Sequence, residues 1–427
     1  MSLRRKVASL LAAAASTCCL ALAGAAQAGE LTMVEVLTSP ARTELITSQL
    51  AEFEKANPDI KVNLISLPYD SSFEKLLTMY KSGQAPDVVE LADRWGGLYV
   101  KGHQLEPLDR YIAKTPELAS ILPSVIELGK VGTKSVYRLP YGFDIRALYY
   151  SKDMLQQAGV EPPRTMDDFF KAAAIVTEKL PGKYGYCMRA GKGGGYGWGS
   201  FPMQFGATGS FFDADGNSLY AFPAFQEGMQ KYADLYRKGY SPRESIAWGF
   251  GDSVAGFTSG QCALLDQDPD ALPDILKKMD PSKFGVVPIP TGATGKAFPS
   301  MGYFSWAMSA ASRNKDEAWK LIAFLMADKQ NLALDKYLFM APVHVGAEKD
   351  PFYAADVWKA FLTTLQQPQT YQTWTQPAYL PEWGTLYDKT MMEDGQAILL
   401  GQKDVKETAE KWAAVLTAAQ KRYLADR

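Results

Sequence analysis

Three apolar segments separated by two helical segments constrain the fold of this chain more than any other feature. The segments at 31–37, 61–67 and 88–91 have the length and composition of strands, and the sequences between them have the spacing of amphipathic helices. Strands joined by helices in this way form a parallel sheet with the helices packed on its faces. The sequence therefore predicts a doubly wound α/β sheet in this part of the chain.

The residues that follow these strands indicate where a ligand would bind. In open α/β sheets the ligand lies beyond the carboxyl ends of the strands, and these ends carry Thr38, Tyr69 and Asp93-Arg94-Trp95. A carboxylate accepts hydrogen bonds from sugar hydroxyls, a guanidinium donates in a fixed fork, and an indole covers the apolar face of a pyranose. These residue types favour a carbohydrate ligand. The alternative is structural, with Asp93 as a helix N-cap and Trp95 in the core.

Length and charge limit the class of protein. A chain of 427 residues exceeds what one compact core organises, which favours two lobes. The formal net charge of −2 at pH 7 provides no electrostatic surface for nucleic acid or for an anionic membrane. With hydrophobic residues at 47% and charged residues at 22%, the composition is that of a soluble globular protein.

The N-terminus has the three parts of a secretory signal peptide. Residues 4–6 are basic, residues 7–25 are apolar, and Ala26-Gln27-Ala28 is a small-x-small cleavage site. The sequence therefore predicts cleavage after Ala28 and export to the periplasm. Cys18 and Cys19 lie within the apolar part and leave lipoprotein anchoring as an alternative. No later segment of the sequence reaches the ~18 apolar residues of a membrane span.

Cysteine and histidine are scarce in the rest of the chain. Cys187 and Cys262 lie in strand-like segments, and they form either a disulfide or two buried free thiols. His103 and His344 are the only imidazoles. The sequence therefore predicts neither a metal site nor a cofactor.

Four stretches are similar to those of one protein family. They are Gly83-Gln84-Ala85-Pro86-Asp87-Val88-Val89, the run 93–102, the segment 139–153, and Gly302-Tyr303 followed by 312–319. In this order, behind a signal peptide, they resemble the solute-binding proteins of bacterial ABC sugar importers, of the maltose-binding type. Asp93 and Arg94 match the family's sugar-contacting pair. Tyr303 stands where many relatives carry Trp and His344 where an Arg is frequent, so the particular sugar stays open.

The resemblance implies a two-lobed periplasmic-binding-protein fold of type II. Each lobe would be a doubly wound α/β sheet flanked by helices, with the ligand cleft between the lobes and crossovers at 140–143 and 299–303. The implied division is a signal peptide at 1–28, an N-terminal lobe at 29–140 and 302–340, and a C-terminal lobe at 141–301 and 341–427. The implied function is binding of a sugar or polyol and its delivery to the permease subunits of an ABC transporter, by a monomer without enzymatic activity.

Candidate ligand-binding residues come from the strand ends, the crossovers and the aromatic loops. The polar and backbone candidates are Thr38, Asp93, Arg94, Asp144, Gln267, Asp268 and Gly302. The stacking candidates are Tyr69, Trp95, Trp198, Trp248, Tyr303, Trp374 and Trp383. Core packing remains the alternative for each tryptophan, because this side chain is heavily buried on average.

Two other functions fit parts of the sequence. An exported glycoside hydrolase would place paired carboxylates beside sugar-stacking aromatics, with Asp266, Asp268 and Glu382 as candidates. This function does not account for the two crossovers. A sensor subunit that hands its ligand to a receptor would share the fold and the pocket of the importer protein.

Overall fold

The computed structural model describes residues 29–426. The predicted signal peptide at 1–28, including Cys18, Cys19 and the cleavage site, lies outside the described residues. Within 29–426 the helices are all too short or too polar to span a membrane.

Strands and helices alternate through much of the described chain. The strands are β1 Gly29–Glu35, β2 Ile60–Ser66, β3 Val88–Ala92, β4 Arg138–Ile145, β5 Ala147–Ser151, β6 Tyr184–Tyr186, β7 Cys262–Gln267, β8 Phe284–Pro288 and β9 Met301–Met308. The α-helices are α1 Pro40–Ala56, α2 Tyr69–Lys81, α3 Gly96–Lys101, α4 Asp109–Ile112, α5 Pro123–Gly129, α6 Lys152–Ala158, α7 Met166–Lys179, α8 Gly195–Gly206, α9 Pro223–Arg237, α10 Phe250–Thr258, α11 Leu272–Lys278, α12 Lys315–Leu325, α13 Asp328–Leu338, α14 Lys359–Gln366, α15 Pro381–Thr385, α16 Met391–Leu399 and α17 Val405–Ala425.

The first sheet has the strand order β2-β1-β3-β9-β4. β1 is parallel to β2, with Gly29 opposite Ile60, and parallel to β3, with Met33 opposite Val88. The predicted parallel arrangement of these three strands is confirmed, and α1 and α2 supply the crossovers that parallel strands require. β9 runs antiparallel between β3 and β4, which brings a distant part of the chain into this sheet.

The second sheet has the strand order β6-β7-β5-β8. β5 is antiparallel to both β7 and β8, and β6 is parallel to β7. α7, α10 and α14 pack against this sheet, and the C-terminal α16 and α17 pack on α9. Two α/β sheets with their own helices confirm the predicted two-lobed fold. We call the part around the first sheet the first lobe and the part around the second sheet the second lobe.

The chain passes from the first sheet to the second at a single residue, Arg146. β4 stays paired with β9 as far as Ile145, and β5 begins in the second sheet at Ala147. The boundary predicted after Pro140 therefore lies within β4. The chain returns to the first sheet between β8 and β9. We propose Arg146 and the segment 289–300 as the connections that divide the lobes.

A disulfide joins Cys187 to Cys262, with the two Cα atoms 5.4 Å apart. The sequence left this pair open between a disulfide and two thiols, and the structure has it bonded. Cys262 is the first residue of β7, so the bond ties the start of this strand to the segment after β6. β7 is the strand that carries Gln267 and leads to Asp268.

A buried ion network holds the loop that follows β1. Arg42 of α1 is 1% exposed and donates to Glu35 Oε2 at 2.5 Å and to Glu90 Oε1 at 2.7 Å. The hydroxyl of Tyr141 also donates to Glu90, and Glu90 Oε2 accepts the backbone N–H of Val36 at 2.6 Å. Two carboxylates thus share one guanidinium away from solvent, and together they fix the carboxyl end of β1.

We expect Arg42→Ala to lower the free energy of unfolding by about 3–5 kcal/mol, because removing one member of a buried ion network leaves an uncompensated charge. Lys61→Ala is the matched control. Lys61 is 59% exposed and pairs with Glu54 at 2.9 Å, and exposed pairs contribute about 0–1 kcal/mol. Urea unfolding of both variants measures the difference, and a loss for Arg42→Ala no larger than that of the control would contradict this role.

Candidate ligand-binding site

Asp93, Arg94 and Trp95 form a 3₁₀ turn directly after β3. The side chain of Asp93 is 3% exposed, and its Oδ1 accepts the backbone N–H of Arg94 at 2.7 Å. Its Oδ2 is buried and meets no hydrogen-bond donor from residues 29–426. The N-cap of the turn is Ala92, so the structure does not support the alternative in which Asp93 is a cap. Burial raises the pKa of Asp93, while the Arg94 guanidinium acts in the opposite direction.

Arg94 connects the two lobes. Its Nε donates to Asp388 Oδ2 at 2.8 Å, and Asp388 lies in a π-helical turn of the second lobe. Its Nη2 donates to the hydroxyl of Tyr69 at the N-terminus of α2. A Cβ on the nearby Gly97 would overlap the carbonyl oxygen of Ala378, so only glycine permits this approach of the second lobe. The structure therefore holds the lobes together at this edge of the first sheet.

Arg146 presents its guanidinium to the second lobe. The guanidinium carbon lies 3.5 Å from the ring centroid of Tyr196, and Nε lies 3.2 Å from Asp268 Oδ1. Nη1 donates to the carbonyl oxygen of Asp266 at 2.7 Å. Burial acts against the charge of Arg146, but the neighbouring carboxylates, Asp268 first, raise its pKa. The connection between the sheets thus carries a positive charge in the middle of the site.

Asp144 lies between the acidic residues of the two lobes. It is 9% exposed, stands opposite Gly302 in β9, and its Oδ1 lacks a hydrogen-bond partner within the described chain. Burial raises the pKa of Asp144 well above its usual value. The neighbouring carboxylates act in the same direction, and they are Asp270, Asp268 and Asp93. Carboxylates of both lobes therefore lie close enough to influence one another's charge.

The end of β7 supplies the second lobe's part of the site. Gln267 is fully buried; its Oε1 accepts the backbone N–H of Asp268 at 3.2 Å, and its Nε2 finds no acceptor among the described residues. Arg189 lies nearby, and burial together with the charge of Arg146 lowers its pKa. The structure thus brings the predicted polar residues of both sheets to facing strand ends.

Tyr69 and Trp95 lie beside Arg94. Their rings stack with centroids 6.0 Å apart and an interplanar angle of 19°, and the guanidinium carbon of Arg94 is 5.7 Å from each centroid. Trp95 is 2% exposed and also contacts Phe73, whose ring centroid is 5.4 Å away. These rings support the arginine, and protein side chains cover the indole.

Three other predicted tryptophans pack against aromatic rings, and two of those rings, Tyr196 and Tyr387, also contact arginines of the site. Trp198, Trp374 and Trp383 are each 2% exposed or less. Their aromatic neighbours are Tyr232, Trp412, Tyr196, Phe211 and Tyr387. The structure thus places these three rings in the core of the second lobe, which is the alternative that the sequence left open. Trp248 is half-buried and lies against Gly256 beside the disulfide.

The remaining predicted residues lie at strand ends of the first sheet. Thr38 is half-buried and precedes Ser39, the N-cap of α1. Gly302 and Tyr303 are the second and third residues of β9, which runs antiparallel to β3 and so begins where β3 ends. Tyr303 is 3% exposed, and its hydroxyl accepts a hydrogen bond from Arg138 Nη2 at 2.8 Å.

Sequence reasoning missed several members of the site. Arg146 and Arg189 had a local signal, since each is a charged residue at the end of an apolar strand-like segment. Tyr387 and Asp388 had none, because a π-helical turn far along the chain brings them to Arg94.

The arrangement suits a ligand rich in hydroxyl groups. Carboxylates and guanidinium groups form the stronger class of hydrogen bonds, and both kinds of group occur at the facing strand ends. Within 29–426, His, Cys, Asp and Glu side chains form no group of three or more that could hold a metal ion.

Comparisons with known proteins find similar binding proteins. A Brucella abortus protein that carries the name of a binding protein is 28% identical over 406 residues, which cover 93% of this chain and 96% of that protein. The mannitol-binding protein of Pseudomonas aeruginosa is 29% identical over 343 residues, with 74% of this chain and 75% of that protein covered.

A solved structure shows the same fold. It is the ABC transporter solute-binding protein of Thermotoga lettingae bound with α-D-tagatose, with a TM-score of 0.78 and 22% identity, covering 92% of this chain and 100% of that one. The family model for bacterial extracellular solute-binding proteins matches residues 38–332, and this chain therefore belongs to that family.

Proposed function

We propose that this chain binds a sugar or polyol between its lobes and delivers it to the permease subunits of an ABC transporter. The observation that carries the proposal is a pair of buried carboxylate oxygens, Asp93 Oδ2 and Asp144 Oδ1, which have no partner among residues 29–426. A buried acceptor costs free energy unless a donor reaches it. The hydroxyls of a sugar or polyol are such donors, and the name of the mannitol-binding relative supports this chemistry.

Closure of the lobes is the second element of the proposal. Ligand contacts from both lobes favour the closed state, and exclusion of water strengthens each hydrogen bond. The bond from Arg94 to Asp388 joins the lobes directly. The two connections at Arg146 and 289–300 would form the hinge.

The family is extracellular, in agreement with the predicted export signal. We place the mature protein in the periplasm, after cleavage behind Ala28, as a monomer whose partners are its ligand and the permease. A role in sensing would use the same site and differ only in the partner.

The glycoside hydrolase alternative has no comparable support. Asp266 accepts a hydrogen bond from a tyrosine hydroxyl, Asp268 pairs with Arg146, and Glu382 pairs with Arg422 at 2.6 Å near the surface. Each candidate acid is thus engaged by another protein side chain. The family to which the chain belongs consists of binding proteins.

We expect Asp93→Ala to weaken ligand binding by about tenfold to a few hundredfold, because a hydrogen bond to a charged group contributes ~1.5–3 kcal/mol. Isothermal titration with the tightest ligand from a panel of monosaccharides, oligosaccharides and alditols measures the loss. Asp153→Ala is the control, since Asp153 is exposed and pairs with Lys283 at 3.0 Å. Affinity of Asp93→Ala within twofold of the unaltered protein, together with a lowered melting temperature, would refute the binding role.

We expect Asp388→Ala to weaken the same ligand by at most about fivefold and to speed its release. Asp388 is 40% exposed, and a partly exposed ion pair contributes about 1 kcal/mol or less. Stopped-flow release rates and small-angle scattering of the bound form measure the two effects. A loss as large as that of Asp93→Ala would mean that Asp388 contacts the ligand rather than only closing the lobes.

A further inference from the structure

We infer that the ligand of this cleft is a short linear polyol, an alditol, rather than a pyranose or an oligosaccharide. The inference rests on the proposed function and narrows it. A pyranose has an apolar C–H face that is best covered by an aromatic ring, whereas an alditol carries a hydroxyl on every carbon. The two ligand classes can therefore be distinguished by whether the aromatic rings of the cleft are exposed and whether its polar atoms have partners.

The indole of Trp95 beside Arg94 is covered by other side chains. Trp95 is 2% exposed and is held between Tyr69 and Phe73, with ring centroids at 6.0 and 5.4 Å. The guanidinium of Arg94 lies over Tyr69 as well, at 5.7 Å. With 2% of its surface exposed, the indole offers almost no area to a sugar ring.

The rings beside Arg146 and Arg138 are occupied in the same way. Tyr196 is 7% exposed, with the Arg146 guanidinium carbon 3.5 Å from its centroid and the ring of Trp374 stacked at 6.5 Å. Tyr303 is 3% exposed, with the Arg138 guanidinium carbon 4.9 Å from its centroid. An arginine thus covers one face of each of these rings.

In contrast to the rings, three polar atoms of the cleft lack a partner within the described chain. Asp93 Oδ2 and Asp144 Oδ1 are buried acceptors, and Gln267 Nε2 is a buried donor, and all three lack partners within the described chain. They come from both lobes, so a ligand must reach groups on two sides. Each alditol hydroxyl both donates and accepts, and rotation about the C–C bonds lets successive hydroxyls turn to different sides. The ordering of these bonds costs entropy, which charge-assisted hydrogen bonds offset.

Titration calorimetry of the mature chain with matched pairs tests the inference. The alditols are D-mannitol, D-glucitol, galactitol, ribitol and erythritol, and the locked rings are the methyl α-pyranosides of D-mannose, D-glucose and D-galactose, with maltotriose as the oligosaccharide. We expect at least one alditol to bind at least about tenfold more tightly than every ring compound, because each hydrogen bond to a charged group that a locked ring misses costs ~1.5–3 kcal/mol.

The possible results separate this inference from the proposed function. A ring compound that binds as tightly as the best alditol, or more tightly, would overturn the inference and leave the proposed function in place. Binding of none of the compounds would overturn both.

A second experiment assigns the contact to Asp144. We expect Asp144→Asn to weaken the best alditol about tenfold, with Asp153→Asn unchanged as the exposed control. The forms of that alditol that lack a terminal hydroxyl distinguish a direct contact from a structural role. A purely structural role of Asp144 would leave the affinity difference between the parent alditol and each deoxy form unchanged. In the unaltered protein, one of these deoxy forms should bind about tenfold more weakly than the parent alditol. In Asp144→Asn, the same deoxy form and the parent alditol should bind equally well. Equal losses in both proteins for every deoxy form would overturn the assignment.

Discussion

The single residue between β4 and β5 sets the geometry of the whole molecule. Because only Arg146 separates a strand of the first sheet from a strand of the second, the two sheets must meet there with their strand ends facing one another. Asp144 precedes this point, and Asp268 is held by Arg146 just beyond it. The connection between the lobes therefore lies within the candidate site, and a rotation of one lobe would change the distances among the carboxylates.

Two groups of buried charge in the first lobe show how structural and binding roles differ. Around Arg42 both carboxylates have donors, and the network fixes the loop after β1. At Asp93 and Asp144 one oxygen each has no donor from the described chain, although both side chains are almost closed to solvent. Buried polar groups in proteins are nearly always paired, so each exception needs a partner such as water, an ion or a ligand. Carboxylates thus stabilise the fold around Arg42, whereas Asp93 and Asp144 each leave one oxygen without a donor from the described chain.

Sequence alone predicted which polar residues lie at the strand ends that form the candidate site. Asp93, Asp144 and Asp268 follow or end buried strands, and the chemistry of α/β sheets places such residues at the ligand. The sequence could not show which tryptophans contact a ligand, because a tryptophan that stacks on a ligand and one in the core have the same local pattern. Trp198 is a core residue. Asp388 could not be found, since its position depends on how the C-terminal helices pack. The Cys187–Cys262 bond likewise depends on a distance that no spacing reveals.

The clustering of acids from both lobes explains why closure should depend on the ligand. Bringing Asp144 near Asp268 and Asp93 removes water from carboxylates that repel one another, and the raised pKa of Asp144 is the consequence. Closing the cleft without a ligand would therefore require either that this repulsion is overcome or that one of the carboxylates takes up a proton. Hydroxyl donors to the same oxygens would offset this cost, and a bound ligand would supply that free energy. Acids that face one another from the two lobes would in this way both recognise hydroxyl donors and make closure depend on the bound ligand.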